Sequence, residues 1–117
     1  RSLQSLAKHK HVLVTMRFAQ EEFDIGSQER GRTLFEGLLA NYPKRTDLWI
    51  VYVDQESKHG NYDRARRLYE RMTTAKMSSR AMRNIFKKFL RFEMQHGNEE
   101  TVEHVKTKAR EYVQAMS

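Results

Sequence analysis

The chain contains no cysteine. That excludes a disulfide framework and every cysteine-ligated metal site, and it is compatible with a cytosolic or nuclear protein. Proline occurs once, at Pro43, and glycine only five times in 117 residues. The clustered Val, Ile and Thr runs and the turn signals of a β protein are also missing, which leaves an all-α chain. No apolar run approaches the roughly 20 residues that a membrane-spanning helix needs, and no signal peptide is visible, so no membrane partner is expected. Catalytic patterns are lacking as well: there is no HExxH, no phosphate-binding glycine loop and no Ser/His/Asp arrangement. Of the five histidines, His9 and His11 are two apart and do not share a helix face. His59 and His96 each stand just before a glycine, at a helix C-terminus where an imidazolium suits the dipole. The expectation is a protein that is not an enzyme and carries no cofactor or metal. The chain opens on Arg1 and not on Met, so a fragment of a larger protein is expected.

What is abundant is charge. Lys and Arg number 22 against 15 Asp and Glu, a net charge of +7. Such a balance favours acidic partners, nucleic acid above all. The alternative is a solvated helical surface that carries more bases than acids.

The pattern is clearest in Trp49 to Arg71. Trp49, Tyr52, Val53 and Glu56 share one helix face. Gly60 ends that helix in the left-handed conformation that glycine tolerates, and Asn61 caps the next, which carries Ala65, Leu68, Tyr69 and Met72. Before this pair, a helix from about Lys8 presents Val12, Met16, Ala19 and Phe23, with Val14 and Phe18 beside them, while Arg1 to Leu6 show little pattern. Gly26 ends it and Ser27 caps a helix with Leu34, Phe35, Leu38 and Leu39, stopped by Asn41, Tyr42 and Pro43. Thr46 or Asp47 caps the Trp49 helix. After the central pair, Ser78 or Ser79 caps a helix with Met82, Ile85, Phe86 and Phe89. Gly97 ends it, and Asn98 caps a last helix with Val102, Val105, Ala109, Tyr112 and Val113.

These elements repeat. Gly26, Gly60 and Gly97 recur at intervals of 34 and 37 residues, each followed by a cap: Ser27, Asn61, Asn98. Four residues before each glycine is Glu22, Glu56 or Glu93, and four before that Phe18, Tyr52 or Phe89. Five after each is Gly31, Ala65 or Val102, small enough to let the second helix approach the first. Three helix–turn–helix copies at this period predict an α-solenoid of three hairpins and about six helices, over roughly 8–42, 46–76 and 79–116 in a single domain. The aromatics are expected to pack between the helices of each hairpin. An acid near the end of a helix opposes the dipole, so the recurring glutamate calls for a specific partner, such as Arg32 or Arg66 or a backbone group.

Trp49, Tyr52, Glu56, Gly60, Asp63, Ala65, Arg66, Tyr69, Glu70 and Arg71 resemble the half-a-TPR (HAT) repeat. The first copy is similar through Phe18, Glu22, Gly26, Arg32, Phe35 and Glu36, with Thr15 in place of Trp and Gly31 in place of Ala. The third is similar through Phe86, Phe89, Glu93 and Gly97, then departs: Val102-Glu103 replaces Ala-Arg, and Lys106 replaces the second-helix aromatic. A terminal repeat, whose outer face meets solvent, would show such a departure. Within the family, Tyr42 to Trp49, Lys8 to Val12, Phe86 to Leu90 and Gln95-His96-Gly97 look like the C-terminal tail of large nucleolar pre-ribosomal-RNA-processing factors that bear many S1 domains. The resemblance implies a nuclear, nucleolar scaffold. It would bind pre-ribosomal proteins and pre-rRNA during the cleavages that yield 18S rRNA, with S1 domains upstream in the same chain. The alternative is a HAT interaction or dimerisation module of a splicing or mRNA 3′-end factor, with self-association as its role.

Candidate binding residues lie just past the central repeat. Between Glu70 and Glu93 there is no acid, while Arg71, Lys76, Arg80, Arg83, Lys87, Lys88 and Arg91 are basic. Arg80, Arg83, Lys87 and Arg91 line one helix face, suited to phosphates or to an acidic neighbour protein. Arg64 and Arg67 join Arg71 as a second cluster, and Arg66 is read as structural. No aromatic is evidently offered outward for base stacking, so RNA binding would be backbone-directed.

Overall fold

A computed structural model describes the backbone of residues 2–75 and 77–116 and the side chains from His11 onward within that span. Among the described residues there are six α-helices and no strand: α1 (Ser2–Asp24), α2 (Gln28–Asn41), α3 (Thr46–Lys58), α4 (Tyr62–Thr74), α5 (Ser79–His96) and α6 (Glu99–Met116). They form two compact units, Arg1–Asn61 and Tyr62–Ser117.

In the first unit, α1 and α2 form a tight hairpin. Ser27 caps α2, its hydroxyl accepting from the Arg30 amide at 3.4 Å. The close approach depends on Gly31, where a Cβ would come within 2.8 Å of the Phe23 ring and 2.9 Å of the Ala19 carbonyl oxygen. Val12, Ala19 and Phe23 of α1, Phe35, Leu38 and Leu39 of α2, and Leu48, Trp49, Tyr52 and Val53 of α3 are buried. Each large side chain removed from water this way contributes roughly 1.5–3 kcal/mol before entropy is counted. The Trp49 indole N–H donates to the Pro43 carbonyl at 2.9 Å. The single proline thus both stops α2 and satisfies the buried indole.

Three expectations are corrected here. α1 begins at Ser2 and not near Lys8; Leu and Ala in this segment are good helix formers even where no apolar stripe shows. Val14 and Phe18 do not border a core, being 65% and 58% exposed. The residue before α3 that acts as N-cap is Arg45, with no side-chain cap bond. Asp47 lies inside the helix, where it pairs with Arg45 at 2.7 Å and accepts from the Leu48 amide at 3.0 Å. An acid in the first turn is favoured by the helix dipole. The reading of Gly60 holds: its φ is +77°, a conformation that costs an L-residue about 1–2 kcal/mol.

In the second unit, α4, α5 and α6 bury Ala65, Leu68, Tyr69, Met72, Met82, Ile85, Phe89, Phe92 and Val105. Ser78 caps α5 by accepting from the Ala81 amide at 3.2 Å. Asn98 and Thr101 cap α6 reciprocally: the Thr101 amide donates to Asn98 Oδ1 at 2.9 Å and the Asn98 amide to Thr101 Oγ1 at 2.8 Å. Gly97 is needed for space, since its φ is −106° but a Cβ would collide with Thr101 Oγ1 and Glu93 Oε1. The α6 stripe is less buried than its spacing suggests. Val105 is inside, Tyr112 is half-buried, and Val113 and Met116 are 62% and 58% exposed.

Candidate partner-binding surface

Two joints of the same construction occur, one in each unit. In the first, the Tyr52 ring of α3 stacks on Phe35 of α2 with centroids 4.8 Å apart and planes at 8°. In the second, Phe89 of α5 stacks on Tyr69 of α4 at 4.9 Å and 6°. Beside each stack lies an ion pair. Arg32 donates through Nε and Nη2 to Glu56 at 2.7 and 3.0 Å. Arg66 donates through Nε and Nη2 to Glu93 at 2.8 Å each. Both carboxylates are 1% exposed, and a buried charge is tolerable only when paired in this way. The Glu56 carboxylate also accepts from Asn61 Nδ2 at 2.9 Å. Among the described residues no buried side-chain polar atom lacks a partner.

The partner sought for the recurring glutamate is therefore the arginine six residues past the preceding glycine. The structural reading of Arg66 is correct. The placement of the aromatics inside each hairpin is not: Tyr52 and Phe89 join the second helix of one hairpin to the first helix of the next. Phe18 is the equivalent residue of the first copy, and it is exposed because no such second helix precedes it among the described residues. Phe86 does pack within its hairpin, against Tyr112 of α6 at 5.7 Å.

A third set of contacts pins α3 to α1. His59, Gln55 and Lys58 approach the Asp24 carboxylate at 2.7, 3.0 and 3.2 Å. These hydrogen bonds, that of His59 foremost, hold the Asp24 pKa down at about 2. In the second unit, burial pushes the Glu70 carboxyl up, but hydrogen bonds from Lys108 and His104 outweigh it and leave the pKa lowered.

The candidate basic residues lie on the surface of the second unit. Arg64, Arg67 and Arg71 on α4 are exposed, as are Arg80, Arg83, Lys87, Lys88 and Arg91 on α5. Lys76 lies outside the described residues. The α5 stripe divides between a groove and open surface. Arg83 and Lys87 border a groove between α5 and α6 of about 910 Å³, while Arg80, Lys88 and Arg91 do not. The groove floor is apolar, with Phe86, Leu90, Ala109, Tyr112, Val113 and Met116 among its residues, and Lys106, Arg110 and Glu103 complete the rim. Spacing alone does not disclose the α6 contribution, because Tyr112 and Val113 keep the helical period whether they fill a core or line a groove. The visible signal was Lys106 and Arg110 one turn apart beside that stripe. The expected solvent-facing surface of the last hairpin is in part this apolar groove. Aromatic exposure also differs from expectation: Phe18 and Tyr62 are 58% and 38% exposed, although Tyr62 stacks on His96 at 3.9 Å.

No cluster of three or more His, Cys, Asp or Glu able to hold a metal occurs among the described residues. None of their helices is long and apolar enough to cross a membrane. The joints, repeated with one geometry, are features of a repeat family, and the family model described as the PRP39 N-terminal HAT repeat matches residues 15–117. The chain belongs to the HAT-repeat family. It is 48% identical over 112 residues to the rRNA biogenesis protein RRP5 of Arabidopsis thaliana, covering 96% of this chain and 6% of that protein. It is 48% identical over 113 residues to rRNA biogenesis protein rrp5 of Schizosaccharomyces pombe, covering 97% and 7%. With the Protein RRP5 homolog of Mus musculus it shares 44% over 117 residues, 100% and 6%. The chain thus spans 6–7% of the length of these curated relatives. HAT membership agrees with the expected all-α helical-repeat class and with a module that mediates interactions without catalysis. In HAT terms, the Arg–Glu rung and the aromatic stack are the joint between repeats.

Proposed function

We propose that this HAT chain is a scaffold module of ribosome biogenesis, which binds pre-ribosomal proteins and pre-rRNA during the small-subunit cleavages that yield 18S rRNA. The observation that carries the reading is the identity along nearly the whole chain to RRP5 proteins, two of them named for rRNA biogenesis. In this reading residues 1–117 are one HAT module in the C-terminal tail of a longer nucleolar protein, with S1 domains upstream. The exposed bases Arg64, Arg67, Arg71, Arg80, Arg83, Lys87, Lys88 and Arg91, with Lys76 between them in sequence, supply the contacts to phosphate or to an acidic neighbour. A dimerisation module of a splicing or mRNA 3′-end factor is not favoured, because the extended matches are to RRP5 proteins.

The test is made in cells, in the full-length protein, with Arg80, Arg83, Lys87 and Arg91 all changed to Glu. The expected outcome is reduced cross-linking to pre-rRNA and reduced 18S rRNA with the protein still nucleolar. Unchanged cross-linking and 18S levels would sink the role of the stripe. Association with splicing particles in place of pre-ribosomes would sink the scaffold reading itself. Sedimentation of the chain at high concentration tests self-association, with a strict monomer counting against it.

A further inference from the structure

The α5–α6 groove differs from both joints in the residues that would make a third. Six residues past Gly26 and Gly60 stand Arg32 and Arg66, the donors of the two rungs; six past Gly97 stands Glu103. Nine past the first two glycines stand Phe35 and Tyr69, the platforms of the two stacks; nine past Gly97 stands Lys106. A following repeat of the same kind would bring its buried glutamate toward Glu103 and its aromatic toward an ammonium group. Like charges in a desolvated contact are strongly disfavoured. The surface beyond α6 is therefore unsuited to continuing the repeat. It is nonetheless not a polar end, because Val113 and Met116 lie largely open to solvent on the groove floor.

We propose that this groove is a docking site for an amphipathic helix of a partner protein whose apolar stripe is flanked by Asp or Glu. The proposal rests on the scaffold reading only for the cellular setting of that partner. A helix laid in a groove buries side chains at i, i+3, i+4 and i+7, and the floor offers complementary surface in Phe86, Leu90, Ala109, Tyr112, Val113 and Met116. The rim sets the charge of the occupant. Arg83, Lys87, Lys106 and Arg110 face a single acid, Glu103, which is held loosely by Lys106 at 3.7 Å and Arg110 at 3.9 Å. Acids on the flanks of an incoming helix would meet an excess of bases on either side of an apolar floor. RNA would satisfy the rim but not the floor. Leu90, Val113 and Met116 are aliphatic, and bases gain from aromatic or guanidinium stacking. The ring of Tyr112 is already engaged with Phe86.

The probe is a phage-displayed library of helical peptides about 16 residues long, some 24 Å of helix, selected on the 117-residue chain. The expected consensus carries Leu, Phe or Met at helical spacing with Asp or Glu beside them. Binding of a synthetic consensus peptide should weaken at least about tenfold in Val113→Glu, and again in the rim variant Lys87→Glu/Lys106→Glu, with unchanged helical circular dichroism in both. The same peptide with its acids changed to Lys should not bind. The proposal is overturned if no helical binder is selected, if the consensus is basic or lacks the spacing, or if the groove variants bind as well as the parent. It is also overturned if a short oligouridylate displaces the peptide and loses its own binding in Val113→Glu, which would assign the groove to RNA. Pre-rRNA cross-linking in cells of an Arg80→Glu/Arg91→Glu variant, which leaves the groove rim intact, tests the scaffold reading separately.

Discussion

Removing the charge of Glu56 while keeping its bulk should expose how the first joint is held. Glu56 is 1% exposed, whereas the Arg32 side chain retains 15% of its surface. Glu56→Leu leaves the guanidinium without its carboxylate, with only Gln28 Oε1 at 3.2 Å as a side-chain acceptor. Breaking a buried pair by removing one partner costs about 3–5 kcal/mol. Because Arg32 has residual access to water, Glu56→Leu should fall near the lower end, about 3 kcal/mol. With roughly 2.1 cal/mol/K of unfolding entropy per residue, that corresponds to a Tm lower by about 12 °C for a chain of this length. Arg32→Met should cost more, because the carboxylate it strands is the deeper of the two and keeps only Asn61 as donor. The double variant Arg32→Met/Glu56→Leu should recover most of the loss, to within about 1 kcal/mol of the parent, since an apolar pair of similar volume can replace a buried ion pair. The assay is urea unfolding followed by far-UV circular dichroism, with the slope checked for constancy across the four proteins. Two results would refute the reasoning: singles that cost less than about 1 kcal/mol, or a double variant as unstable as the sum of its singles.

Other consequences can be checked in the same way. Gly31→Val should destabilise by about 1–3 kcal/mol in thermal melts, because the new side chain enters the space held by Phe23 and the Ala19 carbonyl. Gly60→Ala should cost about 1–2 kcal/mol for its positive φ alone, a loss that no neighbouring contact relieves. Phe89→Ala removes a fully buried ring and its stack on Tyr69 and should cost about 3–5 kcal/mol. Asp24, held down at about 2 by His59, Gln55 and Lys58, contributes stability that is complete above the ordinary carboxylate range and is lost as pH falls from about 4 toward 2. Asp24→Asn should flatten that part of the stability–pH curve, and an unchanged curve would show that the contact is not formed.

The periodicity of apolar residues and the glycine–cap pairs are local signals, which is why helix order and most boundaries are legible in the sequence. Glu56 and Glu93 announced that they needed partners, because an acid near a helix C-terminus has no local reason to be there. Which arginine served was open, since pairing across 24 and 27 residues depends on how helices pack. Phe18 shows the opposite failure. Its position in the repeat matches Tyr52 and Phe89, yet burial depends on a neighbouring helix, and position alone cannot supply one. The basic stripe of α5 was visible as spacing, but its division into groove rim and open surface was not. That division is set by α6, whose apolar residues look the same in sequence whether they fill a core or line a cleft.

The two joints also alter what counts as the interchangeable part of this chain. Sequence repeats are drawn hairpin by hairpin, from one glycine to its equivalent. The paired charges and stacked rings instead tie the second helix of one hairpin to the first of the next, so residues 32–56 and 66–93 are the segments whose members must be inherited together. A recombination that cuts within such a segment separates an arginine from its glutamate and a ring from its platform. One that cuts between Asn61 and Tyr62 leaves every one of those pairs whole. For shuffling or extending arrays of this kind, the seam belongs in the middle of the drawn repeat.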